Sequence, residues 1–562
     1  MDHGFVTEVI PGDRFYYNRL FHDYIFAYSR LKGFFHYDHR SLEAFKERIH
    51  KIGMTYDQGY RSASVPVLEQ MNRRLGAGEK TMENISGLRK KGSVVIIGGQ
   101  QPGLFTGPIF IIYKIITILK LSRFIQENTG TEVIPCFWNA SDDSSLGQAD
   151  RLGLPGGTFD EIVLDTSGIS QGTRLSHVRL DISRYEDVVK KMGIFIPGTG
   201  AGEEWERFLQ GSLDFMAAGK DNKSISLADL FSHIVLKLFS EWGPVIIDPS
   251  DAGLKKLGLS LLEWDMKNHA RIKKSIREKG KSLIEAGYHA QLEPNRDALD
   301  FFIGREGVRS RVSMDTGGKY VLGKDKYSAE DLLQMAGSEP SSVSWNVALR
   351  PLIQDTVFPV AATVCGPGET GYFAQLGGVY RLKGIDMPVI YPRLSATIVE
   401  EKICRYMKDI KTGKDLLTLD REDAVKKILK DSQGRDLESI IEDLEKGIGS
   451  SIEDARDRIE KKGLDALSSF DRIRRNLGKE IKVLSQKLLS ALKKQNQLLV
   501  KTIDIIYAHL FPDGMLQERK ANIFYYTGRY GMDIINILYK SYAPFIKGHI
   551  LIYPEGKDKD ER

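Results

Sequence analysis

A strand, a glycine-rich loop and a helix follow one another near residue 100, and this arrangement constrains the fold most. The β-branched residues 94–97 run directly into Gly98-Gly99-Gln100-Gln101-Pro102-Gly103. From Pro108 to about Asn128, apolar residues recur every three or four positions, which predicts a helix. Pro108 suits the first helical position, with Thr106 and Gly107 as cap residues. Such a unit can present free backbone N–H groups to an anionic ligand.

The spacing of the glycines excludes two common nucleotide motifs. Gly98, Gly99, Gly103 and Gly107 do not fit G-x-G-x-x-G, and no Gly-Lys-Ser/Thr follows them. Two interpretations of the loop therefore stay open, a site for an anion or nucleotide and a tight structural turn.

A second apolar strand is predicted from Val133 to Trp138, and a polar segment containing Asn139, Asp142 and Asp143 follows it. Two strand–loop–helix units in sequence favour a parallel sheet, whose ligands lie outside the carboxyl ends of the strands. We therefore expect the two aspartates to lie where the chemistry occurs. The alternative is a pair of acidic residues that caps a helix.

The pattern of strand, glycine turn and helix recurs about 270 residues later. Residues 360–364 are predicted as a strand, Gly366-Pro367-Gly368 as a turn, 369–381 as a helix and 387–391 as another strand. This recurrence is compatible with one sheet interrupted by an insertion or with two domains. A short buried strand that ends in a turn at Asp248-Pro249 is predicted within GPVIIDPSD (243–251), and another strand at 549–554. FFIGREGVRSRV (301–312) is predicted to form a hairpin with one solvated face.

The chain is predicted to turn helical after about residue 398. Ile441, Leu444, Ile448, Ile452, Ala455 and Ile459 form one apolar stripe. A second stripe consists of Ile473, Leu477, Ile481, Leu484, Leu488 and Leu492. These spacings predict an antiparallel coiled coil that turns near Lys462-Gly463 and serves as a dimerisation arm.

Composition narrows the class of protein. The 562 residues are 41% hydrophobic and 28% charged, with a formal charge of +5. A charge this small for the length gives no indication of a nucleic-acid or membrane surface. No secretory signal, membrane span or cysteine motif for metal binding is visible, so we expect a cytoplasmic protein without a protein-bound metal.

Several blocks, in order along the chain, carry a resemblance to a known family. They are GGQQPGLFTGPIFIIYK, PCFWNASDD, GPVIIDPSD, AGYHAQ, NVALRPLIQD, GPGETGYFAQL, YPRLS and FPDGMLQER. In these blocks, which extend from residue 94 to 519, the sequence resembles the cysteine ligases of bacillithiol biosynthesis, the cysteine-adding enzymes. The resemblance implies an α/β fold with a Rossmann-like core and parallel sheet, helical insertions, a long antiparallel coiled-coil arm and a homodimer. It also implies that cysteine is joined to the amine of glucosaminyl-malate.

Domain boundaries follow from the same patterns. We predict an N-terminal helical segment at 1–90, the core with its insertions at 91–397, the arm at 398–508 and a C-terminal segment at 509–562 that returns to the core.

One departure from the family pattern falls at the predicted site. After the second strand the family carries Ala-Gly-Glu-Asp-His-Asp, whereas here Asp142 and Asp143 are followed by Ser144 and Ser145. An imidazole that could exchange protons near neutral pH is therefore missing. Either that histidine is not essential, or another group such as His289 replaces it, or the chemistry of this chain has diverged.

Amide formation from a free carboxylate is unfavourable in water, so a ligase must activate the acid. We expect ATP to do this, with Mg²⁺ allowed as its counterion, through an acyl-adenylate or an acyl-phosphate. Asp142 or Asp143 is the predicted catalytic group that handles the amine, and Arg393 could pair with the malyl carboxylates. The residues predicted to bind substrate or nucleotide are Gly98, Gln100, Gln101, Gly103, Thr106, Gly107, Trp138, Asn139, His289, Gly366, Gly368, Glu369, Gln375 and Arg393.

Alternatives exist for individual residues and for the whole chain. Glu369 could instead be a first-turn carboxylate favoured by the helix dipole, and Arg393 could form a structural salt bridge. The chain as a whole could be a ligase for another amino acid or amino-sugar acceptor. It could also be a non-catalytic binding protein with the same fold.

Overall fold

A computed structural model describes most of the chain in two compact units, which are presented separately. The described residues are 5–10, 18–143, 146–156, 159–198, 200–219, 223–305, 308–315, 317–410, 416, 419–431, 435–463 and 467–555. The first unit comprises the described parts of 1–154, 160–398 and 518–555, and the second those of 155–159 and 399–517. The domain boundaries given above stay predictions.

The strands are distributed along nearly the whole described chain. They are β1 (Phe5–Ile10), β2 (Val94–Gln100), β3 (Val133–Asn139), β4 (Arg151–Pro155), β5 (Phe159–Val163), β6 (Arg179–Asp181), β7 (Ser224–Ser226), β8 (Val245–Ile247), β9 (Ala298–Arg305), β10 (Val308–Met314), β11 (Tyr320–Leu322), β12 (Asp325–Tyr327), β13 (Val343–Trp345), β14 (Val360–Cys365), β15 (Val389–Pro392), β16 (Ala396–Ile398) and β17 (His549–Pro554).

The helices account for most of the remaining regular structure. They are α1 (Arg19–Phe26), α2 (Leu42–Thr55), α3 (Gln58–Arg74), α4 (Glu79–Gly87), α5 (Phe110–Thr129), α6 (Leu146–Ala149), α7 (Ile182–Gly193), α8 (Gly200–Ala217), α9 (Leu227–Leu238), α10 (Ala252–Glu285), α11 (Ala329–Ser338), α12 (Arg350–Val357), α13 (Pro367–Lys383), α14 (Glu401–Asp409), α15 (Arg421–Leu429), α16 (Arg435–Glu460), α17 (Leu467–Gln495), α18 (Gln497–Leu510), α19 (Ile523–Tyr530) and α20 (Ile534–Ser541).

A five-stranded parallel sheet organises the first unit, in the order β15-β14-β2-β3-β8. Residues 94–99 of β2 and all of β3 and β14 are buried, as expected for strands covered on both faces. From β2 the chain adds β3 and β8 on one side, and later β14 and β15 on the other. This order creates a topological switch point at β2, where open α/β sheets bind ligands.

The two strand–turn–helix blocks belong to the same sheet. β14 pairs in parallel with β2, so the interpretation as one sheet with an insertion is confirmed. The second block contains the predicted helix as α13, which begins at Pro367 and ends before Gly384 in the left-handed conformation. The α/β fold with a parallel, Rossmann-like core is therefore present.

The helix after the first glycine loop begins later than predicted. α5 starts at Phe110, so Pro108 is not its first residue and Thr106 and Gly107 are not its caps. Tertiary contacts explain the difference. Pro108 forms an isolated bridge with Asn522, and the Ile109 N–H donates to the Ala521 carbonyl at 2.8 Å. A partner more than 400 residues away thus holds Pro108 in a bridge outside the helix, where local preference favours a helix start.

An antiparallel sheet is inserted between β8 and β14, in the order β12-β11-β10-β9-β13. The predicted hairpin at 301–312 is confirmed as the pair β9–β10. At the N-terminus, α1 to α4 agree with the predicted helical segment, but β1 was not predicted. β1 pairs with β17, so its partner lies at the other end of the chain.

The second unit is helical. α16 and α17 pack against each other, and Gly463, with φ of +73°, lies in the turn that follows α16. Most residues of the apolar stripe on α17 remain partly or largely exposed, although Ile481 is only 9% exposed. Elsewhere in this unit, Arg421 forms an ion pair with Asp504, and the Tyr507 hydroxyl donates to the Leu416 carbonyl at 2.9 Å. Within the described chain, no helix combines the length and apolarity needed to cross a membrane.

Candidate active site

A cavity of about 340 Å³ lies at the carboxyl edge of the parallel sheet, beside the switch point. Its lining residues are Gly99, Gln100, Gln101, Trp138, Ala140, Asp142, Asp143, Pro249, Phe302, Arg309, Trp345, Asn346, Val347, Arg350, Glu369 and Tyr372. The ends of β2 and β3 and the start of α13 supply one part of the wall. The inserted antiparallel sheet and the segment leading into α12 supply the other.

The glycine loop contributes to this cavity only through its first residues. Gly99, Gln100 and Gln101 line it, whereas Gly103 and Gly107 pack against each other. A Cβ on Gly103 would lie 2.7 Å from the Gly107 Cα. The Gly107 N–H is already bonded to the Leu104 carbonyl at 2.9 Å. From Gly103 to Gly107 the loop is therefore a close-packed turn.

Lys114 of α5 supports the loop from the inside of the protein. Its ammonium donates to the Gly99 carbonyl at 2.6 Å and to Glu369 Oε2 at 2.5 Å. Burial lowers the pKa of Lys114, and the negative charge of Glu369 opposes that shift. Glu369 also accepts a bond from the Gly366 N–H at 2.8 Å, so it is a first-turn carboxylate of α13; it lines the cavity as well, and a ligand role for it stays a prediction. The pair joins β2 to the start of α13.

Asp142 is held by two buried cations. Lys255 Nζ lies 2.5 Å from its Oδ2, and Arg174 Nη1 lies 3.5 Å from its Oδ1. Burial lowers the pKa of Lys255, and Asp142 is the largest influence in the opposite direction. The Lys255 ammonium also donates to the Val343 carbonyl, which ties Asp142 to β13. The partners of Asp142 are thus cations of the protein itself.

Asp143 has a different environment. Its side chain accepts a hydrogen bond from the amide of Gln101, and it is only partly buried at the cavity wall. Its backbone carbonyl accepts from the Leu175 N–H at 2.8 Å, which fixes the loop after β3. Ser144 and Ser145, where the sequence departs from the family pattern, lie outside the described residues.

Asp248 lies behind the aspartate loop, directly after β8. It accepts from the Ser141 hydroxyl at 2.5 Å and from the Ser250 N–H at 2.9 Å. Burial raises the pKa of Asp248 to about 6. This carboxyl therefore couples the loops that follow β3 and β8.

Several predicted site residues do not line the cavity at the carboxyl edge of the parallel sheet. Gly366, Gly368 and Arg393 line a separate cavity of about 180 Å³ at the start of α13. Arg393 donates to Glu518 at 2.6 Å, with both side chains buried, so the structural salt bridge considered above is present. A ligand role for these residues stays a prediction.

Three further predicted residues have partners inside the protein. The Gln375 side chain is buried and accepts from the Gln291 and Leu292 N–H groups, both at 2.7 Å. Asn139, also buried, donates to the Ser232 hydroxyl at 2.8 Å. His289 is exposed, contacts Gln291 and is not among the residues that line the cavity, and a role for it in place of the missing histidine stays a prediction.

Sequence reasoning missed the cavity residues that the insertion supplies. Arg309 and Phe302 come from the β9–β10 hairpin, Trp345 from β13 and Arg350 from the start of α12. Two signals existed: the hairpin was predicted with several charged residues, and Arg350 lies in the NVALRPLIQD block. Neither signal indicates which arginine would face the ends of β2 and β3. No cluster of three or more His, Cys, Asp or Glu that could hold a metal occurs among the described residues.

Comparisons with known proteins agree with this architecture. Residues 7–394 match the model of the Bacillithiol biosynthesis BshC, N-terminal Rossmann-like domain. Residues 396–554 match that of the Bacillithiol biosynthesis BshC, C-terminal coiled-coil domain. The long helical pair α16 and α17 lies within the second match.

Similar proteins extend over nearly the whole chain. A relative from Geobacillus thermodenitrificans (strain NG80-2) is 30% identical over 540 residues, covering 94% of this chain and 97% of its own. A relative from Koribacter versatilis (strain Ellin345) is 28% identical over 533 residues, covering 92% of this chain and 94% of its own. Both relatives are named as the cysteine ligase BshC. The parallel sheet, the coiled coil and these full-length matches together place the chain in the BshC family of bacillithiol biosynthesis.

Proposed function

We propose that this protein is a ligase that joins the carboxyl group of L-cysteine to the amine of glucosaminyl-malate, with ATP as the activating substrate. Family membership and the names of the relatives support the reaction class. The observation that carries the proposal is the cavity at the switch-point edge, which Asp143 and two arginines line together. A cavity of this size accommodates a small polar substrate.

The chemistry has two steps. A cysteine carboxylate oxygen attacks a phosphorus atom of ATP, which releases ADP or pyrophosphate and leaves an acyl-phosphate or acyl-adenylate. The amine nitrogen then attacks the activated carbonyl carbon, the carbon–oxygen bond to the phosphoryl group breaks, and the amide forms. The nitrogen must lose a proton, so a general base within hydrogen-bond reach accelerates the second step.

Asp143 is the group we assign to that proton. Asp142 is less suited to this role, because Lys255 Nζ bonds its Oδ2 and Arg174 Nη1 lies 3.5 Å from its Oδ1, so two buried cations already offset its charge. Asp143 accepts from the amide of Gln101, and its partly buried carboxylate lies at the cavity wall, where an ammonium group of a bound substrate could approach it. Asp142 is then a positioning residue that fixes the loop carrying Asp143.

Reconstitution tests the proposal. Purified protein is incubated with L-cysteine, ATP and glucosaminyl-malate, and the thiol product is identified by mass spectrometry. Release of AMP indicates an acyl-adenylate, and release of ADP indicates an acyl-phosphate. A different preferred amino acid or acceptor would identify a diverged ligase. Tight binding of glucosaminyl-malate without turnover of any amino acid would identify a binding protein instead.

A further inference from the structure

Two arginines on the cavity wall lack an acidic partner. Arg309 lies on β10 and Arg350 begins α12, and both line the cavity. Within the described part of the chain, neither guanidinium forms an ion pair within 4.0 Å. Asp142 and Asp143 influence Arg309 electrostatically from a greater distance, and burial lowers the pKa of Arg309.

The buried cations around the site are paired. Lys255 and Arg174 contact Asp142, Lys114 contacts Glu369, and Arg393 contacts Glu518. A buried charge without an opposite charge is costly, so proteins normally supply one. Arg309 and Arg350 are half-buried, and they lack such a contact at the place where a ligand would bind and bury them further.

Neutral groups hold both guanidiniums in place. Arg309 donates from Nε to the Ser344 hydroxyl at 2.9 Å and from Nη2 to the Trp345 carbonyl at 2.8 Å. It also lies over the Phe302 ring, 3.8 Å from the ring centroid. These contacts restrict the orientation of the side chain without neutralising its charge.

Arg350 is held in the same manner. It donates from Nη2 to the Tyr372 hydroxyl at 2.6 Å and from Nη1 to the Gln354 side-chain oxygen at 3.3 Å. A guanidinium has five N–H donors, so each arginine keeps donors beyond those used in these contacts. An incoming anion therefore finds oriented donors and displaces no protein carboxylate.

We infer that Arg309 and Arg350 bind the two carboxylates of a dicarboxylic acid, and that they select the malyl group of the acceptor. The inference rests on the proposed function for the name of the acceptor. Carboxylates match guanidinium geometry in bidentate pairs, which a lysine cannot reproduce. The phosphate groups of ATP and the carboxylate of cysteine are the competing anions.

The test measures separate KM values for the three substrates in Arg309→Gln, Arg350→Gln and Arg350→Lys. We expect the KM for glucosaminyl-malate to rise about 10- to 100-fold, the equivalent of losing a charge-assisted hydrogen bond. The KM values for cysteine and ATP should change less than about 2-fold. Arg311→Gln is the matched control, because Arg311 lies on the same strand, is exposed and does not line the cavity.

Calorimetry with L-malate alone separates this inference from the proposed function. Malate binding that is weakened in Arg309→Gln but not in Arg311→Gln supports the dicarboxylate site, even if the parent makes no cysteine amide. Equal malate binding in parent and variants, or no binding to the parent, overturns it. A KM increase confined to ATP or cysteine also overturns it. If Arg350→Gln fails to fold, Arg309→Gln and Arg350→Lys decide the result.

Discussion

Asp142 and Asp143 are adjacent in sequence but have different partners. Lys255 and Arg174 contact Asp142, whereas Asp143 accepts from the amide of Gln101. Removing one member of a buried ion pair leaves the other charge uncompensated, which is strongly destabilising. Substitution at the two positions should therefore produce different defects.

We predict that Asp143→Asn lowers kcat by about 10²- to 10⁴-fold, the usual effect of losing a general base, with little change in stability. Asp142→Asn should instead lower the free energy of unfolding by about 3–5 kcal/mol, because Lys255 loses its partner. Steady-state kinetics and urea denaturation of both variants check this. Equal kinetic and stability defects in the two variants would contradict the division of roles.

Asp248 should make stability depend on pH. Its folded-state pKa is raised to about 6 by burial, while an unfolded aspartate titrates near about 3.9. The folded state therefore binds the proton of the Asp248 carboxyl more tightly than the unfolded state does. The protonated carboxyl stabilises the folded state fully below about pH 4, and this stabilisation is lost as the pH rises through about 6. We predict that this loss amounts to about 1–3 kcal/mol in the parent.

Asp248→Asn removes the titration while its side-chain oxygen can still accept from Ser141 and Ser250. The decrease in unfolding free energy between pH 4 and pH 7.5 should therefore be smaller in the variant. Urea denaturation at both pH values provides the measurement. Parallel pH profiles for the two proteins would show that Asp248 does not titrate in this range.

At the scale of elements, the glycine loop has two parts with different roles. Its first residues extend β2 to the cavity, and the segment from Gly103 to Gly107 packs as a turn against Asn522. Gly107 adopts a left-handed conformation with φ of +64°, which favours glycine. At Gly103 the requirement is space, since the Gly107 backbone occupies the position of a Cβ.

Gly103→Val should consequently displace the turn and weaken substrate binding at Gln100 and Gln101. We expect a loss of about 1–3 kcal/mol in stability, the typical cost of overpacking. Differential scanning fluorimetry and binding of glucosaminyl-malate provide the measurement. Gly53→Ala is the control, because a Cβ there meets no atom within 4 Å and the residue lies in α2. A Gly103→Val protein with parental stability and binding would exclude this account of the turn.

At the scale of the whole molecule, the coiled coil bears on assembly. Leu484 on α17 remains 39% exposed in the single chain, whereas Ile481, one turn away, is 9% exposed. An exposed leucine in an apolar stripe is available to a second copy of the chain. We propose that the stripe supports a homodimer.

Leu484→Asp should then shift the protein toward the monomer, because a charge in an apolar seam costs about 2–5 kcal/mol. Light scattering over a range of protein concentrations measures the mass. Ser485→Asp, a neighbouring exposed position on the same helix, is the control for added charge. If Leu484→Asp is still a dimer, the stripe is not part of the interface. If the parent protein is a monomer, the proposal of a homodimer is wrong.

Local sequence patterns determined the main elements of this protein. The β-branched run at 94–97, the strand before Asn139 and the helix after Gly366 were predicted because hydrophobic periodicity and glycine turns act over a few residues. The order of matching blocks also identified the family. The aspartate segment was placed correctly, since residues after parallel strands meet at one edge of the sheet.

Only the tertiary structure decided which side chains share the cavity and which are occupied elsewhere. Arg309 and Arg350 reach the sheet edge through an inserted sheet, and no periodicity encodes that approach. Arg393 and Gln375 are bonded to Glu518 and to the 291–292 backbone, partners 125 and 84 residues away. Whether a polar side chain faces a ligand or the protein depends on such long-range contacts, because burial forces each polar group to find a partner.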